Sequence, residues 1–490
     1  MSKRLTAHEL IELGLDRGSW ASWDTPPSYG EISEAYTADL AAARERSGVD
    51  ESVLTGEARV HGRRVAVLIS EFGFIGGSIG RATADRLVAA IERATAEGIP
   101  LVAAPCSGGT RMQEGTPAFV QMVRISAAIA QHKAAGLPYL VYLRHPTTGG
   151  VMASWGSLGH VTVAEPGALV GFLGPRVYEA LYGEPFPEGV QTSENLQTHG
   201  LIDAVVPAEE IGEILDRTLS ILEASPAAGR PQPELPALGE APDAWDAVTR
   251  SRRSERPGVR RLLSIGADEV VPLHGTGQGE SDPGLLIALA RFGDASCVFL
   301  GQDRRGQSAE HPMGPEALRE ARRGMRLAVE LGLPLVTVID TPGAALSAAA
   351  EEGGLAGEIA RCLADLVSLP APTLCLMLGE GNGGGALALL PADRIIAAEN
   401  AWLSPLPPEG ASALVHRDTA HAADMARAQR VRSVDLADLG VVDRIIPEQV
   451  DAADAPEDFC RTVAAVLEWE LSELHGSQAG PFGRRVTRYL

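Results

Sequence analysis

Two short glycine runs have the residue types and spacing to hold negative charge. Arg144-His-Pro-Thr-Thr-Gly149-Gly150 leads into Val151-Met-Ala-Ser-Trp155. Gly379-Glu-Gly-Asn-Gly383-Gly384-Gly385 leads into Ala386-Leu-Ala-Leu-Leu390. Each follows a short apolar run, 139–143 or 373–378, so each reads as strand, glycine turn, helix start. The first turn of a helix carries N–H groups without internal acceptors, and the helix dipole there favours anions. Glycine lets a ligand approach that backbone closely. Such a loop can cradle a phosphate or an oxyanion; taken alone, each reads more readily as a tight βα turn. Neither has the Lys-Ser/Thr of a nucleotide-phosphate loop, and neither fits Gly-x-Gly-x-x-Gly.

A second glycine feature lies one strand earlier in each half. Ser107-Gly108-Gly109-Thr110-Arg111 follows one apolar run, and Asp340-Thr-Pro-Gly343 follows the other. The first half adds Phe72-Gly-Phe-Ile-Gly76-Gly77-Ser78. No nucleophile and base pair stands out. Cys106 has no histidine placed beside it by sequence, which favours a buried structural role.

These loops need elements to position them, and the elements repeat. Pro100 and Pro334 are 234 positions apart, as are Pro138 and Pro372, and Glu165 and Glu399. A repeat this long is a domain duplication. Each half runs β segment (65–70; 297–300), helical stretch, buried strand, second helix, and second strand ending in glycines. That order predicts α/β layers. Between the halves, 225–244 is rich in Pro, Ala and Gly without apolar periodicity and reads as a linker. The predicted domains are therefore 1–224 and 245–490. Near the start, Thr6-x-x-Glu9 predicts a capped helix.

The formal net charge of −22 argues against nucleic acid or an anionic membrane as partner. Any anionic ligand must be held by a local field. The five cysteines are odd in number and show no C-x-x-C spacing, which fits a reducing cytoplasm and predicts no metal site. No apolar run is long enough to span a bilayer.

At this level of detail the sequence resembles a known family. FGFIGGS (72–78), SGGTRMQEG (107–115), GLPYLVYLRHPTTGGV (136–151) and AEPGALVGFLGPR (164–176) resemble the beta subunit of the bacterial acetyl-CoA carboxylase carboxyltransferase. RPGVRRLL (256–263), GLPLVTVIDTPGA (332–344), GEGNGGGALAL (379–389) and PPEGASALV (407–415) resemble its alpha subunit. The chain then looks like a fusion of two subunits that are separate elsewhere.

The resemblance implies two tandem crotonase-like (ClpP/crotonase) ββα-superhelix domains. It implies transfer of a carboxyl group from carboxybiotin, on a separate carrier protein, to acetyl-CoA, giving malonyl-CoA for fatty-acid or polyketide synthesis. Biotin carboxylase and biotin carboxyl carrier protein are the implied partners, with a homodimer or higher oligomer. Gly149 and Gly150 would form one oxyanion hole, Gly384 and Gly385 the other. Gly76, Gly77, Gly108, Gly109, Thr110, Gly343 and Arg305 would bind substrate. Two oxyanions develop in this reaction, on the thioester enolate and on the ureido oxygen, so two sets of donors are needed. The cofactor carries the difficult chemistry, which accounts for the missing catalytic dyad.

The chain departs from the family at three places, one being that the alpha subunit's long helix before the Arg256-Pro257 motif has no counterpart. It shows no four-cysteine zinc ribbon, and Ala344-Ala-Leu-Ser-Ala-Ala-Ala350 replaces a usual Tyr-Pro-Gly stretch. Two other readings follow: biotin-independent decarboxylation of a malonyl thioester, and an inactive assembly subunit.

Overall fold

The computed structural model describes residues 4–226, 229–308, 310–475 and 482–489. The chain divides into two compact units. The first is Met1–Leu219 with Gly277–Gly279; the second is Ser220–Thr276 with Glu280–Leu490.

In the first unit the strands lie in the order Ala21–Ser22, Val53–Val60, Arg63–Ser70, Leu101–Ala104, Tyr139–Leu143, Val161–Ala164 and Ala204–Val205. The first three pair antiparallel and the rest parallel. In the second unit Glu269–Leu273, Leu285–Phe292 and Ala295–Gln302 are antiparallel. Leu335–Thr341, Thr373–Asn382, Arg394–Ala398 and Arg444–Ile446 then follow in parallel. Every residue of Leu101–Ala104, Tyr139–Leu143 and Leu335–Thr341 is buried. Parallel strands covered on both faces have this uniformly apolar character.

The Gly-x-Pro lead-ins do two jobs at once. Helix Arg81–Glu97 stops at Gly98, whose left-handed φ is 65°, and Ile99 N–H reaches back to the Ala94 carbonyl (2.9 Å). Helix Pro315–Glu330 is followed by the same closure: Leu333 N–H donates to Ala328 O (2.9 Å). This is a Schellman-type stop. The proline that follows opens the sheet. Pro100 O accepts from Ala66 N–H and Pro334 O from Val298 N–H, both at 2.9 Å.

The predicted capping box is present: Glu9 N–H donates to Thr6 Oγ1 (3.1 Å), and Thr6 N–H donates to Glu9 Oε2 (2.8 Å). One strand is longer than its sequence suggested. The run placed at 373–378 continues to Asn382, because Trp402–Ser404 pairs with its far end. In the first unit the corresponding stretch breaks after Leu143 and resumes as Thr147–Thr148, paired with Val170–Gly171.

The linker segment has no regular structure between Glu223 and Ala244, apart from residues 227–228, which lie outside the described ones. It is tied to the second unit through Arg230 with Asp294 and through Pro242 O with Arg432. No helix among the described residues is long and apolar enough to cross a membrane.

Near the C-terminus, Arg485 is wholly buried. It donates to the Leu366, Leu369 and Ala371 carbonyls and pairs with Asp393. Arg485→Ala strands that set of acceptors, so the unfolding free energy of the second unit should fall by about 3 kcal/mol, read as the shift of its denaturant midpoint.

Candidate functional site

In the first unit three loops converge. Gly108 N–H donates to Gly76 O (2.9 Å), Ile79 N–H to Gly109 O (2.9 Å), and Thr148 N–H to Ser107 O (2.9 Å). Gly76, Gly77, Gly108, Gly109, Thr110, Gly149 and Gly150 are thereby brought together. A β-carbon on Gly109 would lie 3.5 Å from Gly149 Cα and 3.6 Å from Gly150 N. One on Gly150 would lie 2.9 Å from Thr110 Oγ1. Gly77 has φ 63°, and a β-carbon there would overlap the Cys106 carbonyl oxygen. Its place in the motif is fixed by packing.

The second unit repeats this backbone at the 234-residue offset. Ser107 Oγ accepts from Gly109 N–H at 3.0 Å; Thr341 Oγ1 accepts from Gly343 N–H at 3.1 Å. The bridge between Ile79 and Thr110 becomes one between Met313 and Ala344. Gly149 (φ 61°) and Gly383 (φ 66°) share their conformation. In register, then, Gly149 and Gly150 match Gly383 and Gly384, and Gly385 lies one residue further on. A β-carbon on Gly385 would sit 3.4 Å from Ala344 N.

The donors are individual amides. Helices Gly149–Met152 and Gly383–Leu387 have only 4 and 5 residues, too short to accumulate a large dipole, so the field inferred from the sequence is weaker than it suggested. Gly149 N–H is already donated to Phe172 O (2.9 Å). The amides of Thr110 and Gly150, and of Ala344, Gly384 and Gly385, have no acceptor among the described residues. Thr110 and Ala344 thus present amides beside those of the helix starts. Sequence reasoning missed Ala344 and treated Thr110 only as a binding residue. The 234-residue offset was the signal that would have paired them.

Other expected features fall elsewhere. Arg305 is exposed and points to the Ser254 and Arg256 carbonyls, at 3.3 and 3.5 Å, not to either glycine loop. Its neighbour Arg304 lies 3.8 Å from the Asp340 carboxylate. In the Ala344–Ala350 departure, Ser347 caps the short helix Ala348–Glu352 and Leu346 is 97% exposed. Cys106 is buried and donates to His145 O (3.1 Å). Burial pushes its thiol up to about 11. No group of three or more His, Cys, Asp or Glu among the described residues is arranged to hold a metal. An apolar cavity of about 680 Å³ adjoins helix Gly149–Met152, lined by Met152, Ala153, Phe172, Leu173 and Leu196 among others.

The chain thus carries two sheet-based units, each ending its central strands in a paired glycine cradle that leaves peptide amides without acceptors among the described residues. The comparisons agree. Over residues 3–480 the chain matches the family described as the carboxyl transferase domain. It is 60% identical over 487 residues to the probable biotin-dependent acyl-coenzyme A carboxylase beta3 subunit of Mycobacterium tuberculosis, covering 99% of this chain and 97% of that one. It is 40% identical over 497 residues to the acetyl-coenzyme A carboxylase carboxyl transferase subunits beta/alpha of Salinispora arenicola, covering 96% and 87%. Among solved structures, transcarboxylase 12S superposes with a TM-score of 0.75 at 21% identity, over 95% of this chain and 89% of that one. This last likeness shows the crotonase-like fold of both units. The chain belongs to the carboxyltransferase family of biotin-dependent acyl-CoA carboxylases.

Two outcomes follow from the packing. At pH 8 a thiol held near 11 is roughly a thousandth ionised, so Cys106 should resist iodoacetamide in the native protein and react once unfolded. Gly77→Ala should cost at least about 2 kcal/mol in a denaturant titration, from backbone strain and overlap together.

Proposed function

We propose that the chain transfers the carboxyl group of carboxybiotin, presented on a carrier protein, to acetyl-CoA to give malonyl-CoA. One observation carries the reading: amides without acceptors stand at register-equivalent positions in the two units, Thr110 with Ala344 and Gly150 with Gly384, and Gly385 adds one more in the second. Thr110 and Gly150 would hold one oxyanion, with Gly149 shaping the turn. Ala344, Gly384 and Gly385 would hold the other. Each preorganised donor stabilises developing charge by about 3–4 kcal/mol. A β-carbon on Gly385 would lie 2.6 Å from Met313 Cε and 3.3 Å from Ala344 Cβ, so glycine keeps that amide close to Ala344 N. When bound, carboxybiotin supplies the activated carboxyl group. The residues of this chain hold the thioester and ureido oxygens and orient them.

Biotin carboxylase and a biotin carboxyl carrier protein are the proposed partners. A second copy of the chain is another. Large apolar side chains stand exposed in both units: Met112, Val123, Phe172 and Leu181 in the first, Leu346, Leu414 and Val415 in the second. Surfaces of this kind mark interaction sites. The first unit of one chain facing the second unit of its partner would cover them and complete the site.

The purified chain, given a carboxylated biotin carrier and acetyl-CoA, should form malonyl-CoA. Gly385→Pro deletes one amide and should lower kcat by about 10²–10³-fold. Unchanged kcat in a folded Gly385→Pro protein would remove the second cradle from the reaction. Malonyl-CoA turnover at the same rate without biotin would replace carboxyl transfer by decarboxylation. Light scattering should give a dimer or larger, and Leu346→Asp should shift it towards monomer.

A further inference from the structure

We propose that the buried Glu51–Arg111 pair is a positioning device for the first unit's donor loop, and that carboxyl transfer at that cradle depends on it. The inference rests on the function proposed above. Arg111 directly follows Thr110. Its backbone N–H donates to Ile79 O (2.8 Å), and Ile79 N–H returns to Gly109 O (2.9 Å). The backbone of 109–111 is thus stitched to the turn that carries Gly76 and Gly77.

The Arg111 side chain turns into the core. Both it and the Glu51 side chain are wholly buried. Nη1 donates to Glu51 Oε2 (3.1 Å) and to the Tyr36 hydroxyl (3.2 Å). Nη2 donates to Glu51 Oε1, Ser52 Oγ (3.1 Å), Ser78 O (2.9 Å) and Thr83 Oγ1 (3.1 Å). The Tyr36 hydroxyl in turn donates to Glu114 Oε1 (2.6 Å), whose other oxygen accepts from Arg81 N–H (2.7 Å). One rigid guanidinium fork therefore ties five pieces of chain: helix Glu34–Ser47 through Tyr36, the head of strand Val53–Val60, the 75–80 turn, helix Arg81–Glu97 through Thr83, and the 107–114 loop that carries it. Burial works to raise the Glu51 carboxyl, and Arg111 outweighs it, so the carboxyl stays below its ordinary range.

Stability alone is a poor reason for such a pair, because a packed apolar pair of similar volume is often as stabilising. A planar fork with fixed donor directions gives one placement of the loop. The second unit shows that the backbone can form without it. Ala345 stands where Arg111 stands, and its N–H makes the same bond to Met313 O (2.8 Å). There the cradle is held by amides instead: Gln302 Nε2 donates to Gly385 O (2.7 Å), and Asn382 Nδ2 to Pro342 O (2.6 Å). The ion pair is the first unit's own solution to holding the same loop.

The test uses the full chain with Glu51 and Arg111 both made apolar, Glu51→Leu with Arg111→Met, beside Arg111→Lys. Three readouts are taken: thermal midpoint, amide hydrogen exchange over 107–111 and 147–152, and carboxyl transfer from malonyl-CoA to free biotin. The double variant should stay folded, exchange about tenfold faster in those two segments, and lose about 10²-fold in kcat with KM little changed. Arg111→Lys, which keeps charge but loses the fork, should fall between. A folded double variant with unchanged exchange and kcat overturns the proposal. If the double variant fails to fold, Tyr36→Phe decides it, since that change removes only the phenolic ties to Arg111 and Glu114. Faster exchange at 107–111 supports the brace, and unchanged exchange overturns it. Exchange is read without turnover, so a wild-type chain that transfers no carboxyl group defeats the functional reading alone.

Discussion

A peptide N–H kept from every acceptor costs about 1–3 kcal/mol where it is buried. The fold places such amides at matching positions in both units, Thr110 with Ala344 and Gly150 with Gly384, and the second unit adds Gly385. Nearly everything around them serves to hold the backbone in that state. The strands arrive buried and in parallel register. The glycine turns bring two loops into close contact, and Gly109 and Gly149 both hold positive φ that side chains rarely adopt. A chain that relaxed locally would find acceptors for those amides and close the cradle.

The two units reach one backbone geometry by different chemistry. In the first, a buried guanidinium ties its own loop to the Glu51 carboxylate, the 75–80 turn and helix Arg81–Glu97. In the second, side-chain amides of Gln302 and Asn382 clasp backbone carbonyls. The strand architecture differs too. Thr373–Asn382 runs unbroken into its cradle, while the first unit interrupts the same path between Leu143 and Thr147. The conserved quantity across the duplication is the path of the main chain.

Much of the fold was legible because its signals are local. Gly98-Ile-Pro100 and Gly332-Leu-Pro334 announce a helix stop and a strand start in three residues, and the Thr6–Glu9 cap is a short-range pattern. The glycine cradles were visible because glycine is required where backbones nearly touch. What stayed hidden depends on distant partners. Phe172 takes the Gly149 amide from a strand edge far along the chain. Trp402–Ser404 lengthens a strand whose own residues, Gly379 to Asn382, look like a loop. Arg305 has the charge for an anion site but is anchored on the Ser254 and Arg256 carbonyls. Ala344 carries no chemical label at all, since its contribution is a main-chain atom.

That last point reaches beyond one residue. When the working groups are peptide amides, truncating side chains one by one leaves them in place, and a conventional alanine scan would pass over the site. The information lies in the curve of the backbone, which many side chains can maintain. Sequence can then drift widely while chemistry is kept, and the informative perturbations are those that edit the main chain itself, such as exchanging a single amide for an ester.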